Sequence, residues 1–254
     1  MSASPVDGSS APDVGLTLLK LDEKKKKTNF LPEKNTCTEV VETRPRAGCC
    51  SSRAAHRPHG EMQSAGGSAD RPHPLFGGAL SAVIPHSATD TSELREIPDN
   101  QEVFAHAHTD QSLIVELVEY QGQVADEDSA RYHFEDIAGS NKALEPGAFE
   151  VTSVVALPKS DLSLSECSSA WVLTGTQCVS KFNEEARNTV TLHLGVFRLP
   201  QFTTDILITF NDPQSINPDS SSAAAVETHR APWTVQDFHR LLQTLTLHNP
   251  GLFG

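Results

Sequence analysis

TLHLGVFRLPQFTTDILITFNDP, residues 191–213, is the stretch whose reading decides the fold. Val190, Leu192, Leu194 and Val196 alternate with polar or smaller residues, and Ile206, Ile208 and Phe210 do the same after a turn at 200–204. A period of two places one set of side chains on each face of a strand. Two such runs joined by a short loop pair as antiparallel neighbours. Upstream, residues 149–157 and 170–182 are rich in β-branched and aromatic residues and read as two more strands. Downstream, Phe238, Leu241, Leu242 and Leu245 recur at i, i+3, i+4 and i+7, the stripe of a helix over 233–247, and Thr234 with Asp237 has the spacing of a capping box.

Further toward the N-terminus the pattern predicts a turn at 76–79, a strand over 80–84 that Pro85 stops, a helical turn over 90–95 and a strand over 101–107. Leu113, Ile114, Leu117 and Val118 share one face at helical spacing, so 111–121 is expected to be a helix capped by Thr109 and Asp110. A second helix is expected over 126–138, burying Ala130, Phe134 and Ile137. About six strands, with helices before and after the main strand block, imply an α/β class: an α/β/α sandwich over a mainly antiparallel sheet.

Composition sets the boundary of this domain. Residues 1–73 are rich in Ser, Ala, Gly, Pro and charge and hold one aromatic, Phe30, too little apolar surface to offset the entropy of ordering. They are expected to form a disordered extension, with the folded domain over 74–254. The run Lys24-Lys25-Lys26-Lys27 has the form of a weak nuclear localisation signal and is read as solvated charge. The extension carries 11 Lys and Arg against 9 acids, whereas the domain carries 9 against 24. That excess argues against nucleic acid and anionic membrane surfaces and favours a basic protein partner, although charge alone reads first as acids that keep the domain soluble. No apolar run is long enough for a membrane helix, and the N-terminus has no signal-peptide core, so an intracellular protein without direct membrane insertion is expected, and a monomer is expected with it. Five cysteines without tight spacing, Cys37, Cys49, Cys50, Cys167 and Cys178, are expected to be reduced, the last two as small core residues.

Sequence signatures of covalent chemistry do not emerge. The chain has no phosphate-loop motif, no G-x-G-x-x-G and no G-x-S-x-G, so no catalytic residue and no cofactor site are assigned. His106 and His108, two apart, could hold a metal with Asp110, but two imidazoles without a distant ligand are better read as exposed strand-end histidines, and no metal is assigned. Glu135-Asp136 reads as solvated charge.

The phrases PLFGGALSAVIP (74–85), SELREIPDNQEVF (92–104), TDQSLIVELVE (109–119), ARYHFEDIAG (130–139), the stretch 191–213 and APWTVQDFHRLLQTLTLHNPGLFG (231–254) resemble, in register, the Mog-type family of Ran guanine nucleotide release factors. The resemblance covers 74–254 and implies a PsbP-like α/β/α fold. It also implies binding to the small GTPase Ran, release of its GTP, support of nuclear protein import, and presence in nucleus and cytoplasm. For vertebrate members it implies a second role, delivery of a voltage-gated sodium channel to the cell surface, with a channel cytoplasmic loop as partner. The family's Ran-binding acids fall on Asp99 and Glu102 in the PDNQEV phrase, and both matched positions are acidic. The neighbourhood departs from the family pattern at Ala107-His108. The turn at Asp99-Asn100 is expected to bend the chain so that both carboxylates stand on an exposed rim.

Overall fold

The computed structural model describes residues 71–180, 185–224 and 231–254. The extension up to residue 70, with its lysine run, Cys37, Cys49 and Cys50, lies outside the described residues. So does the end of the strand expected to reach Phe182.

The strands are β1 (His73–Leu75), β2 (Leu80–Ala82), β3 (Ala88–Asp90), β4 (Gln101–His106), β5 (Ser112–Glu119), β6 (Phe149–Ala156), β7 (Ser169–Ser180), β8 (Arg187–Leu199), β9 (Thr204–Ser215) and β10 (Thr246–Leu247). Among the described residues the α-helices are α1 (Ser129–Ser140) and α2 (Val235–Thr244). Seven strands form one sheet in the order β3-β4-β5-β9-β8-β7-β6, and β1-β2-β10 form a small second sheet. Every pair in both is antiparallel. The large sheet is two meanders, β3 to β5 and β6 to β9, joined where β5 lies against β9.

Alternation along β8 and β9 sorts their side chains onto two cores. Leu192, Leu194, Val196 and Leu207 pack with Ala130, Phe134, Ile137 and Ala138 of α1. Phe197, Leu199, Ile206, Ile208 and Phe210 pack with Phe238, Leu241 and Leu242 of α2, followed by Leu245. One helix covers each face, which is the α/β/α sandwich. Enclosing each such side chain contributes roughly 1.5–3 kcal/mol. The α2 stripe is fully enclosed, and the Thr234–Asp237 capping box forms, with the hydroxyl accepting from the Asp237 N–H and the carboxylate from the Thr234 N–H.

Each helix crosses the sheet over a glycine. A Cβ at Gly175 of β7 would stand 2.6 Å from both the Glu150 carbonyl oxygen and Phe134 Cζ of α1. At Gly195 of β8 it would stand 2.5 Å from Leu242 Cδ2 of α2. These two positions let the helices approach closely, and no side chain fits without movement.

The helix expected over 111–121 is a strand. β5 is central and covered on both faces, so Ser112 to Val118 are all buried. A strand hidden on both sides reads as a continuous apolar run, which helical spacing also fits. Leu113, Val115 and Leu117 face the α2 core, Val118 the α1 core. With β3 also pairing at the edge, the sheet has seven strands where about six were expected.

Candidate functional site

The Asp90–Val103 segment runs around one corner of the large sheet. The Asp90 side chain accepts from the Ser92 N–H at 2.8 Å and starts a helical turn over Thr91–Glu93. The Thr91 hydroxyl donates to the Val103 carbonyl at 3.0 Å, tying that turn to β4. The Gln101 N–H donates to the Pro98 carbonyl at 2.9 Å, closing the reverse turn that holds Asp99 and Asn100. Asn100 then clamps the chain to β5: its carbonyl accepts from the Leu117 N–H and its amide nitrogen donates to the Leu117 carbonyl. With Asn100 fixed, Asp99 is presented outward, exposed to solvent.

Glu102 behaves differently from the expected rim residue. It lies two positions before Phe104, on the α2 side of β4, and is half-buried. Its carboxylate oxygen accepts from the Phe76 N–H at 2.6 Å. Burial pushes its pKa above the ordinary carboxylate range, opposed by that hydrogen bond, with Asp90 raising it and His73 lowering it further. Glu102 is a latch between the large sheet and the turn that connects β1 to β2. The two acids three positions apart in sequence therefore have different surroundings: one faces water, the other the protein.

The turn that Glu102 holds is unusual. Phe76, Gly77 and Gly78 have φ of 49°, 64° and 89° in succession. Glycine adopts such values freely, but an aromatic residue there costs on the order of 1–3 kcal/mol and persists only where neighbours fix it. A Cβ added at Gly77 or Gly78 would meet nothing within 4 Å, and Gly77 is exposed, so the turn is open on its glycine side while Phe76 packs against the α2 core.

The remaining sequence candidates form no metal site among the described residues. His106 is buried rather than exposed. Its ring packs edge-on against Trp233 at 5.1 Å, and its Nδ1 accepts from the His108 N–H. β4 ends at His106, so His108 stands in the following turn, and the two rings meet edge to face with centres 6.1 Å apart rather than side by side on a strand. Among the described residues no group of three or more His, Cys, Asp or Glu side chains is placed to hold a metal ion. Cys167 is buried in the α2 core, where burial raises its thiol pKa, and Cys178 packs against the α1 core. Glu135 is exposed on α1.

Sequence reasoning missed a buried ionic network at the β8–β9 turn. Arg198 and Asp205 are cross-strand partners, both without solvent exposure, with Nε 3.4 Å from the carboxylate. Arg198 also donates to the Gln121 and Val124 carbonyls and to Asp126, and its guanidinium lies 4.4 Å from the centre of the Tyr120 ring. The second Asp205 oxygen lies 3.0 Å from His133 Nε2 of α1. The network anchors the 120–126 loop, which leads into α1, upon the hairpin. A signal was present: Arg198 and Asp205 interrupt the apolar residues nearest the turn, Val196, Phe197 and Leu199 on one side and Ile206, Leu207 and Ile208 on the other.

The described residues thus form a seven-stranded antiparallel sheet between two helices, with the PDNQEV turn at one corner. A family model described as the Ran-interacting Mog1 protein matches residues 73–213, and the chain belongs to the Mog1 family. The Ran guanine nucleotide release factor of Danio rerio is 66% identical over 181 residues, covering 71% of this chain and 98% of that protein. The human protein of the same name is 50% identical over 183 residues, covering 71% and 95%. The crystal structure of the Saccharomyces cerevisiae Ran-binding protein Mog1p matches with a TM-score of 0.56 at 22% identity, covering 72% of this chain and 98% of that one, a likeness in fold.

Proposed function

We propose that this protein binds the small GTPase Ran and promotes release of its guanine nucleotide, supporting nuclear protein import from a distribution across nucleus and cytoplasm. The observation that carries the reading is family membership: two relatives at 66% and 50% identity are named Ran guanine nucleotide release factor. Support comes from the acidic domain and from Asp99, presented to solvent on a clamped turn.

The mechanism is binding rather than bond-making. A small GTPase holds GTP through ordered phosphate-binding loops and Mg²⁺. A partner that prefers the nucleotide-free form must, by linkage, lower nucleotide affinity by the same factor. A coupling of about 3 kcal/mol corresponds to roughly 150-fold. Asp99 provides an exposed anion to steer a basic face toward the corner.

The test is the rate of labelled GTP release from Ran with and without the full chain. Acceleration that grows with concentration of the chain is expected; an unchanged rate, with no detectable complex, overturns the reading.

A further inference from the structure

We propose that Glu102 serves the partner at second hand: it holds the Phe76-Gly77-Gly78 turn in its left-handed form, and the open glycine side of that turn is a contact surface for Ran. This deepens the Ran-binding reading and rests on it.

Three observations converge. The first is the location of the carboxylate. Glu102 is half-buried and one of its oxygens is engaged with the Phe76 N–H, 26 positions away in sequence. An anion meant to attract a basic partner acts best from solvent, as Asp99 stands; one turned inward acts first on what it holds. The upward shift of its pKa by burial agrees, since the surroundings disfavour the charge itself. The second is the turn. Three successive left-handed residues, one of them Phe76, form a conformation that the sequence alone would not choose. Strain of this kind collects where a precise backbone shape is used. The third is access. Gly77 is exposed, Gly78 is half-buried, and both have open space where side chains would be, so another protein can come up against this side of the turn. Asp99 lies within about 10 Å of Glu102 along the chain, so the steering charge and the turn belong to one corner.

The roles separate by substitution in the full chain. Gln at position 102 keeps an oxygen that can accept from Phe76 and removes the charge, which a pocket of this kind tolerates. Ala removes both. Asn at position 77 suits left-handed backbone and adds a side chain on the exposed side of the turn. Ran affinity is measured for each variant, with hydrogen exchange of the Phe76 amide as the report on the turn and a urea melt as the report on the fold.

Glu102→Gln is expected to keep the Phe76 amide protected and affinity within about threefold of wild type, whereas Glu102→Ala exposes that amide and weakens binding about tenfold or more. Gly77→Asn is expected to weaken binding with the amide still protected. If Glu102→Ala unfolds the chain, Glu102→Gln and Gly77→Asn decide the matter alone. Equal losses for Gln and Ala with Phe76 still protected would make Glu102 a direct charge contact and overturn the proposal. So would unchanged affinity in Gly77→Asn. A wild-type chain that fails to bind Ran rejects the Ran reading itself and the proposal with it, whereas the other outcomes leave Ran binding standing and reject only the turn.

Discussion

His193 lies in β8 beneath α2, stacked on Phe210 at 5.6 Å between ring centres, with Nδ1 3.0 Å from the Thr174 hydroxyl. Burial lowers its pKa below the ordinary 6.5; Asp212 opposes and His239 adds to the shift. The unfolded chain therefore takes up this proton before the folded one does. Stability is full above the ordinary imidazole pKa and falls as pH drops below it. Urea melts between pH 7 and 5 should show wild type losing stability more steeply than His193→Gln. Parallel curves would mean that the site accepts the charge. Arg198 carries the larger consequence. Arg198→Ala leaves Asp205 buried without its cation, which is expected to cost about 3–5 kcal/mol in the same melts. Neither role was read from the sequence. His193 falls in the correctly assigned alternation of 190–196, yet alternation does not say which helix lies above a face. Asp99 was legible as an exposed acid because a Pro-Asp-Asn turn has few other geometries. The latch of Glu102 was not, because its partner is a backbone amide in a distant turn.

At the level of elements, the close approach of each helix to its glycine is a testable dimension of the sandwich. Gly175→Ala places a methyl against a carbonyl oxygen of β6 as well as the Phe134 ring, and backbone cannot yield cheaply. Gly195→Ala meets only the end of the Leu242 side chain, which can change rotamer. Overpacking of this kind costs typically about 1–3 kcal/mol, and the Gly175 variant is expected near or above the top of that range, the Gly195 variant near the bottom. Adding Leu242→Ala should relieve Gly195→Ala, giving less than the sum of the separate losses. Full additivity would show that α2 moves away as a body. The α2 helix was the most legible element, since an amphipathic stripe and a capping box state the same boundary. β5 was misread for the converse reason: being covered on both faces erased the period that distinguishes a strand.

For the whole molecule, charge sets how a partner arrives. The domain over 74–254 holds 24 acidic residues against 9 basic ones. Under the Ran reading, raising salt should slow association more than it speeds dissociation. Asp99→Lys should leave the melting temperature in place while lowering the association rate and GTP release together. A variant that binds at the wild-type rate would remove Asp99 from the contact. Glu102→Lys is unsuited to that comparison, because the latch would be lost along with the charge. Deleting residues 1–70, poor in apolar side chains, is expected to leave the melting temperature nearly unchanged; a large drop would show that the segment packs on the domain. The sandwich class followed from sequence because alternation and helical stripes are local signals. The corner's geometry did not, because it depends on where β1 and β2 return against β4.

The seam between the two meanders also governs how the chain is born. Ser112 of β5 and its hydrogen-bond partner Asn211 of β9 are 99 positions apart, so during synthesis at 5–20 residues per second β5 waits about 5 to 20 seconds for its neighbour. Throughout that interval a strand rich in Leu, Ile and Val presents an unpaired edge, the kind that recruits wrong strands. Ribosome-arrested chains ending at Leu199 should consequently capture holdase chaperones through β5, and chains extended through β9 and clear of the exit tunnel should release them.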